Sequence, residues 1–222
     1  MSWGAFAAVF VAFFLTHSIP VRPAVKARLT DRVGPRGFGW GYSALSLAML
    51  TLLIWSAGQA PHLLLWPQAP WQRHVVQAGM LVVCLILAFT IARPNPFSFG
   101  GARNEQFDPA QPGIIRWTRH PVLLALALWA GLHLLPNGDL AHLLLFGVLG
   151  GFAVVGRALI DRRKRRALGV TRWQALFAAK QRAPLLQPPG SWGMSLARLL
   201  LGLASYLVLL WAHPVIIGVP AL

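Results

Sequence analysis

Six uncharged apolar runs constrain this chain more than anything else in it: Trp3–Ile19, Gly41–Ala57, Val75–Ala92, Pro121–Leu135, Leu140–Gly156 and Leu199–Val219. A hydrocarbon core about 30 Å thick is crossed by roughly 20 apolar helical residues. Backbone in lipid has to close its own hydrogen bonds, and runs of this length do so as helices. The sequence therefore predicts an all-α, polytopic membrane protein, with six transmembrane helices in a single domain over residues 1–222. The fourth run has only 15 residues and is expected to lean on its neighbours. Between it and the fifth, Pro136-Asn137-Gly138-Asp139 is a strong turn signal, so these two runs should form a helical hairpin.

Composition excludes an ordinary soluble domain. Hydrophobic residues make up 56% of the chain and charged ones 11%, against about 25% charged in soluble proteins. A net charge of +15 would suit a nucleic-acid binder, but such proteins gather their bases on polar faces. Here the bases lie between apolar runs, so the expected partner is the lipid bilayer and not nucleic acid. With the N-terminus outside, the cytoplasmic connections hold every one of the 20 Lys and Arg residues except Arg73. The positive-inside rule then puts both termini outside and three basic loops inside. The basic cluster Asp161–Arg166 is expected against anionic lipid headgroups. Val170–Ala183, with Trp173, Leu176 and Phe177 among basic residues, should lie along the surface as an amphipathic helix. Cys84, the single cysteine, sits in an apolar run as a packing residue, which excludes an intramolecular disulfide. The first run lacks a basic leader and a cleavage pattern, so it reads as a retained span.

This topology sorts the histidines by depth. His17 falls at the cytoplasmic end of the first span and His120 at the cytoplasmic start of the fourth, in Arg116-Trp117-Thr118-Arg119-His120-Pro121. Thr118 is expected to cap that helix, and Pro121 is tolerated because it falls in the first turn. His62, His74, His142 and His213 fall toward the outer side. His133 lies about 20 Å along the helix from His120 at 1.5 Å per residue, too far to share a metal, and is expected to be buried and hydrogen-bonded. Ionisable groups at membrane depth are functional candidates. Two imidazoles at one level, with no cysteine available, suit bis-histidine ligation of a haem iron by His17 and His120. Arg116, Arg119, Arg103 and Arg22 on the same side would meet the propionates. The alternative is that both histidines cap helix ends or bond to nearby backbone. Zinc is disfavoured for want of a carboxylate or cysteine in those apolar runs. No Ser–His–Asp arrangement is recognisable along the chain. The long Pro- and Gly-rich connection from Arg93 to Arg116 is expected to fold over the cytoplasmic mouth, bringing Asn95, Ser98, Gly100 and Gly101 to a ligand.

The motifs resemble the NnrU family of bacterial membrane proteins. They are Thr16-His17-Ser18 with Arg22-Pro23, Tyr42-Ser43 with Leu45-Ser46-Leu47, Asn95-Pro96-Phe97-Ser98, Thr118-Arg119-His120-Pro121, Trp129 to His133, and Asn137-Gly138-Asp139-Leu140. The resemblance implies a multi-pass protein of the bacterial inner membrane, linked by the family name to nitrite and nitric oxide reductase expression in denitrifiers. The family is also similar to the plant 15-cis-zeta-carotene isomerase, a membrane enzyme that uses haem b. That similarity implies haem b ligation at His17 and His120; Arg116, Arg119, Arg103 and Asn95 remain the further cofactor-binding candidates from their place on the same side and in the long connection. It also implies cis–trans isomerisation of an apolar polyene, with both histidines at the catalytic iron.

A more distant resemblance is to the isoprenylcysteine and phospholipid methyltransferases, through Arg119-His120-Pro121 followed by Asp161-Arg162, Gly169 and Trp173. The acidic pair of those enzymes is reduced here to one carboxylate, and their tyrosines are missing. Three expectations follow. The first is a haem b protein of nitrogen-oxide metabolism, acting as an isomerase or a sensor. The second is a cofactor-free assembly or regulatory factor, and the third a divergent methyltransferase.

Overall fold

The computed structural model describes residues 1–219. Seven α-helices occur among them: α1 (Trp3–Ser18), α2 (Pro23–Gln59), α3 (Pro70–Thr90), α4 (Pro121–Leu134), α5 (Leu140–Leu168), α6 (Val170–Arg182) and α7 (Trp192–Ile217). Short 3-10 turns at Asn104–Gln106 and Gly113–Arg116 punctuate the connection between α3 and α4. No strand is present among the described residues, so the fold is all-α. Each of the six apolar runs lies on a helix. Four of these helices, α2, α3, α5 and α7, are long and apolar enough to cross a membrane, whereas α1 and α4 are apolar but shorter, at 16 and 14 residues. Large apolar side chains stand outward along α7, Trp211 and Val215 being more than three-quarters exposed. Such a surface suits hydrocarbon and not water.

The connection after α1, read from sequence as a basic loop, is helical from Pro23 onward. That stretch has no apolar run to announce it. Its helix breaks at Gly34, whose φ of +74° only glycine adopts cheaply, and Pro35 removes the next amide donor. The expected surface segment Val170–Ala183 does form a helix, α6.

The chain falls into two compact units. The first comprises residues 1–66 and 138–145. In it α1 packs along α2: the N-terminal ammonium donates to the Gln59 carbonyl, and Tyr42 Oη donates to the His17 carbonyl at 2.9 Å. Leu63–Trp66 runs against the start of α5. Leu65 and Trp66 donate to the Gly138 carbonyl at 2.7 and 3.1 Å, and Leu140 donates to the Leu63 carbonyl at 2.9 Å. Asp139 caps α5, its Oδ1 accepting from the His142 amide at 3.2 Å while Oδ2 lies 2.6 Å from His142 Nδ1.

The second unit comprises residues 67–137 and 146–219 of those described. It is built on α3, against which α4 and α7 both pack. Gly202 lets α7 approach closely, since a Cβ there would come within 2.8 Å of Leu85 Cδ2, the small-residue contact usual between membrane helices. Arg198 on α7 donates to the Ala88 and Ile91 carbonyls at the end of α3, at 2.5 and 3.1 Å. Within this unit the part of α5 from Phe146 onward meets α4, Trp129 packing edge-on against Phe146 at 5.3 Å, as the expected α4–α5 hairpin requires. A buried cluster of Phe97, Ile115 and Trp173, flanked by Phe107, Leu176 and Phe177, ties the long connection to α6.

A methyl group on Gly138 would overlap the Trp66 carbonyl oxygen and lie 2.7 Å from its ring. Gly138→Ala should therefore lower the thermal unfolding midpoint in detergent, at a cost of about 1–3 kcal/mol. Gly147→Ala, with open space at its Cβ, should stay within about 1 kcal/mol of wild type. Equal midpoints for the two variants would contradict the described turn.

Candidate functional site

The site grows from the start of α4. Pro121 at the first helical position lacks the amide hydrogen that would go unused there. His120 is the residue that begins the helix, with φ −121° and ψ 59°. Thr118 does not cap the helix as expected; its Oγ1 accepts from the His120 amide at 3.3 Å. This folded entry drives the imidazole inward, leaving His120 2% exposed.

Both ring nitrogens then find partners. Nδ1 lies 3.0 Å from Ser98 Oγ, and Nε2 lies 3.0 Å from Asp161 Oδ1. An ionised carboxylate only accepts, so Nε2 carries the proton and the Ser98 hydroxyl donates to Nδ1. Asp161 is held in turn by Arg119, whose Nε contacts both carboxylate oxygens at 2.9 and 3.0 Å and whose Nη2 reaches Oδ2 at 2.5 Å. Burial holds the His120 pKa below its ordinary value, so the ring is neutral near pH 7.

Ser98, His120 and Asp161 thus form the hydrogen-bonded series that was not recognisable along the chain. It is not built for nucleophilic attack, because Ser98 is 1% exposed and does not line the neighbouring cavity. It orients the imidazole.

That cavity, about 440 Å³, is walled by Trp117, Thr118, Arg119 and His120, by Val154, Arg157, Ala158 and Asp161 on α5, and by Phe177, Lys180 and Gln181 on α6. Its charges do not balance. Arg119 is matched by Asp161, but Arg157 and Lys180 have no carboxylate partner among the described residues. Lys180 is 2% exposed, and its ammonium lies 4.9 Å from the centre of the Phe177 ring. Burial, with Arg116 and Arg119 nearby, lowers its pKa to about 8. A second cavity of about 420 Å³ is apolar, formed by α3 and Leu124 of α4 with Ile114, and shares Trp117 and Thr118 with the first.

A family described as NnrU protein matches residues 5–221, nearly the whole chain. The chain belongs to the NnrU family. No curated protein and no solved structure matches it. The NnrU match spans both compact units.

Of the residues singled out from sequence, Arg119 and His120 meet at this site. Arg116 braces it from outside, its Nε donating to the Ala183 carbonyl at 2.7 Å and its Nη1 to Gln181 Oε1 at 2.5 Å. Asn95 is buried and its amide is spent on the fold. Its Oδ1 accepts from the Phe97 amide at 3.0 Å and its Nδ2 donates to the Arg119 carbonyl at 3.1 Å. Arg103 is exposed, away from the cavity, in a left-handed conformation with φ +51°. His17 belongs to the other unit, where its ring stacks on Phe13 at 5.4 Å and lies 5.6 Å from Tyr42. His133 is hydrogen-bonded as expected, with Nδ1 2.8 Å from the Trp129 carbonyl. Among the described residues no group of three or more His, Cys, Asp or Glu is arranged to hold a metal ion.

Sequence reasoning passed over Lys180 and Arg157 as site residues, and brought Asp161 to Arg119 and His120 only through the methyltransferase resemblance. One signal was present: Asp161 is the lone acidic residue between Leu140 and the C-terminus, beside ten basic ones. A carboxylate so placed has a cation to hold. Asp161→Ala would strand His120 Nε2 and the Arg119 guanidinium. With the Asp161 side chain 11% and the Arg119 side chain 34% exposed, the expected cost is about 1–3 kcal/mol, read as a lowered unfolding midpoint in detergent. Glu105→Gln, in the exposed part of the connection, should leave the midpoint unchanged.

Proposed function

We propose that this NnrU-family chain is a multi-pass protein of the bacterial inner membrane that handles a membrane-dissolved small molecule at the cavity beside His120. We place its task in nitrogen-oxide metabolism. The observation that carries the reading is a neutral, buried histidine, oriented from both nitrogens, in the wall of a cavity with surplus positive charge. A histidine so held keeps one tautomer and one ring position in the cavity wall, and the surplus cations beside it attract an anionic ligand. In this reading all six apolar runs cross the bilayer, both termini face outward, and the basic run Arg162–Arg166 rests on anionic lipids, while Asp161 turns inward to Arg119 and His120.

Haem b held by His17 and His120 is a second reading. It is favoured by Asp161, because a carboxylate on the far nitrogen is the partner a metal-bound histidine keeps. The lone pair left for iron is then on Nδ1, which the Ser98 hydroxyl now covers. The residues therefore fit the group only once that hydroxyl turns away. Arg119 and Arg157 would then meet the propionates, and Asp161 would keep the ring's orientation. When bound, such a group supplies a metal centre able to take an unsaturated or diatomic ligand, the chemistry that polyene isomerisation or nitric oxide sensing needs.

One measurement tests the reading and a second separates it from haem binding. A denitrifying host carrying His120→Ala in place of the native protein should lose growth on nitrite, while His142→Ala should retain it. Normal growth of the His120→Ala strain would overturn the proposal. The absorption spectrum of the purified protein, oxidised and reduced, tests haem directly. A Soret band that weakens in both His17→Ala and His120→Ala supports ligation. A protein still colourless after haem reconstitution leaves the cofactor-free reading alone.

A further inference from the structure

The polar cavity and the apolar groove share a wall, and together they have the form of an amphiphile. On one side of Trp117 and Thr118 stand Arg157 and Lys180; on the other lie Val82, Ile86, Phe89 and Leu124. Trp117 is 65% exposed and borders both spaces. A buried ammonium without a carboxylate is costly in apolar surroundings. Arg157 gives its Nε to the Val154 carbonyl of its own helix, at 3.2 Å, and to no acid. The two unmatched cations therefore call for about two negative charges. A phosphate monoester carries nearly that at pH 7, its second pKa being about 6, whereas a carboxylate carries one.

We propose that the second unit binds a single-chain anionic lipid, a long-chain alkyl or prenyl phosphate. Its headgroup lies against Lys180 and Arg157, and its tail crosses Trp117–Thr118 into the groove along α3. The proposal deepens the small-molecule reading above by naming the ligand class. It does not depend on haem, and it fails or stands on binding alone, whatever the growth phenotype of His120→Ala.

The test uses the full chain in neutral phosphatidylcholine nanodiscs, with dodecyl phosphate as probe, followed by tryptophan fluorescence and ligand-induced thermal shift. Saturable binding is expected. Lys180→Met should weaken it about tenfold to a hundredfold, the value of one charge-assisted contact. Lys180→Arg, which keeps the charge, should retain binding within about threefold and guard against a folding artefact. Trp117→Ala should weaken the lipid but not inorganic phosphate, which should itself bind at least about a hundredfold more weakly for want of a tail.

Raising the pH from 7 to 9 should weaken binding about tenfold, as Lys180 loses its proton through a pKa of about 8. The other groups facing Lys180 are Arg116, Arg119, Arg157, Asp161 and His120; across that range Asp161 stays paired with Arg119, burial keeps His120 neutral, and the phosphate stays dianionic. No saturable binding, equal binding by Lys180→Met, or equal binding of inorganic phosphate would each overturn the proposal. So would dodecanoate or a neutral dodecyl glycoside binding as tightly as dodecyl phosphate.

Discussion

The Asp161 carboxylate is the point on which the second unit's chemistry depends. It accepts from the Arg119 guanidinium in a two-pronged grip and from His120 Nε2 at the same time. One carboxylate thereby fixes the imidazole tautomer, aligns two adjacent residues of the α4 entry, and anchors that entry to α5. Ser98 completes the arrangement from the other side of the ring. A lone ionised carboxylate would be costly at such a position, and its charge-assisted bonds offset that cost. Arg119 also lies 5.5 Å over the Phe177 ring, so the same cation links the site to α6.

Much of the fold was legible because hydrophobic length is a local signal. The six apolar runs, the Pro136–Asp139 turn and the basic amphipathic helix α6 each announce themselves within a few residues. The amino-terminal part of α2 did not, because it is helical without being apolar, and its break depends on two residues, Gly34 and Pro35. Within the site, Arg119 and His120 were legible for the same reason of locality: they share one motif with Pro121. Asp161 lies 41 residues from His120 and heads a run of five basic residues, so in one dimension it reads as the edge of a headgroup-binding cluster. Only the α4–α5 hairpin turns it toward the imidazole.

Lys180 and Asn95 illustrate opposite errors of reading. Lys180 sits on a helix whose pattern suggests a solvated basic face, yet α6 is held against the long connection by Trp173 and Phe177, which closes that face over the ammonium. Asn95 stands in a Pro-rich stretch where a free amide looks ready for a ligand. Its amide is consumed by the Phe97 amide and the Arg119 carbonyl, so it shapes the approach to the site without lining it. Polar residues in long connections are as often the connection's own fasteners as its working groups.

Arg198 carries a consequence for how the protein is made. The carbonyls of Ala88 and Ile91 that end α3 are met by a guanidinium on α7, 110 residues further along in the case of Ala88. At ribosomal rates of about 5–20 residues per second, roughly 5–20 s separate the synthesis of acceptor and donor. Through that interval the end of α3 has to borrow hydrogen bonds from water, lipid headgroups or an insertion factor. The last helix thus delivers both a packing surface and the donor that closes a much earlier turn, so a ribosome stalled before α7 would leave α3 incompletely bonded.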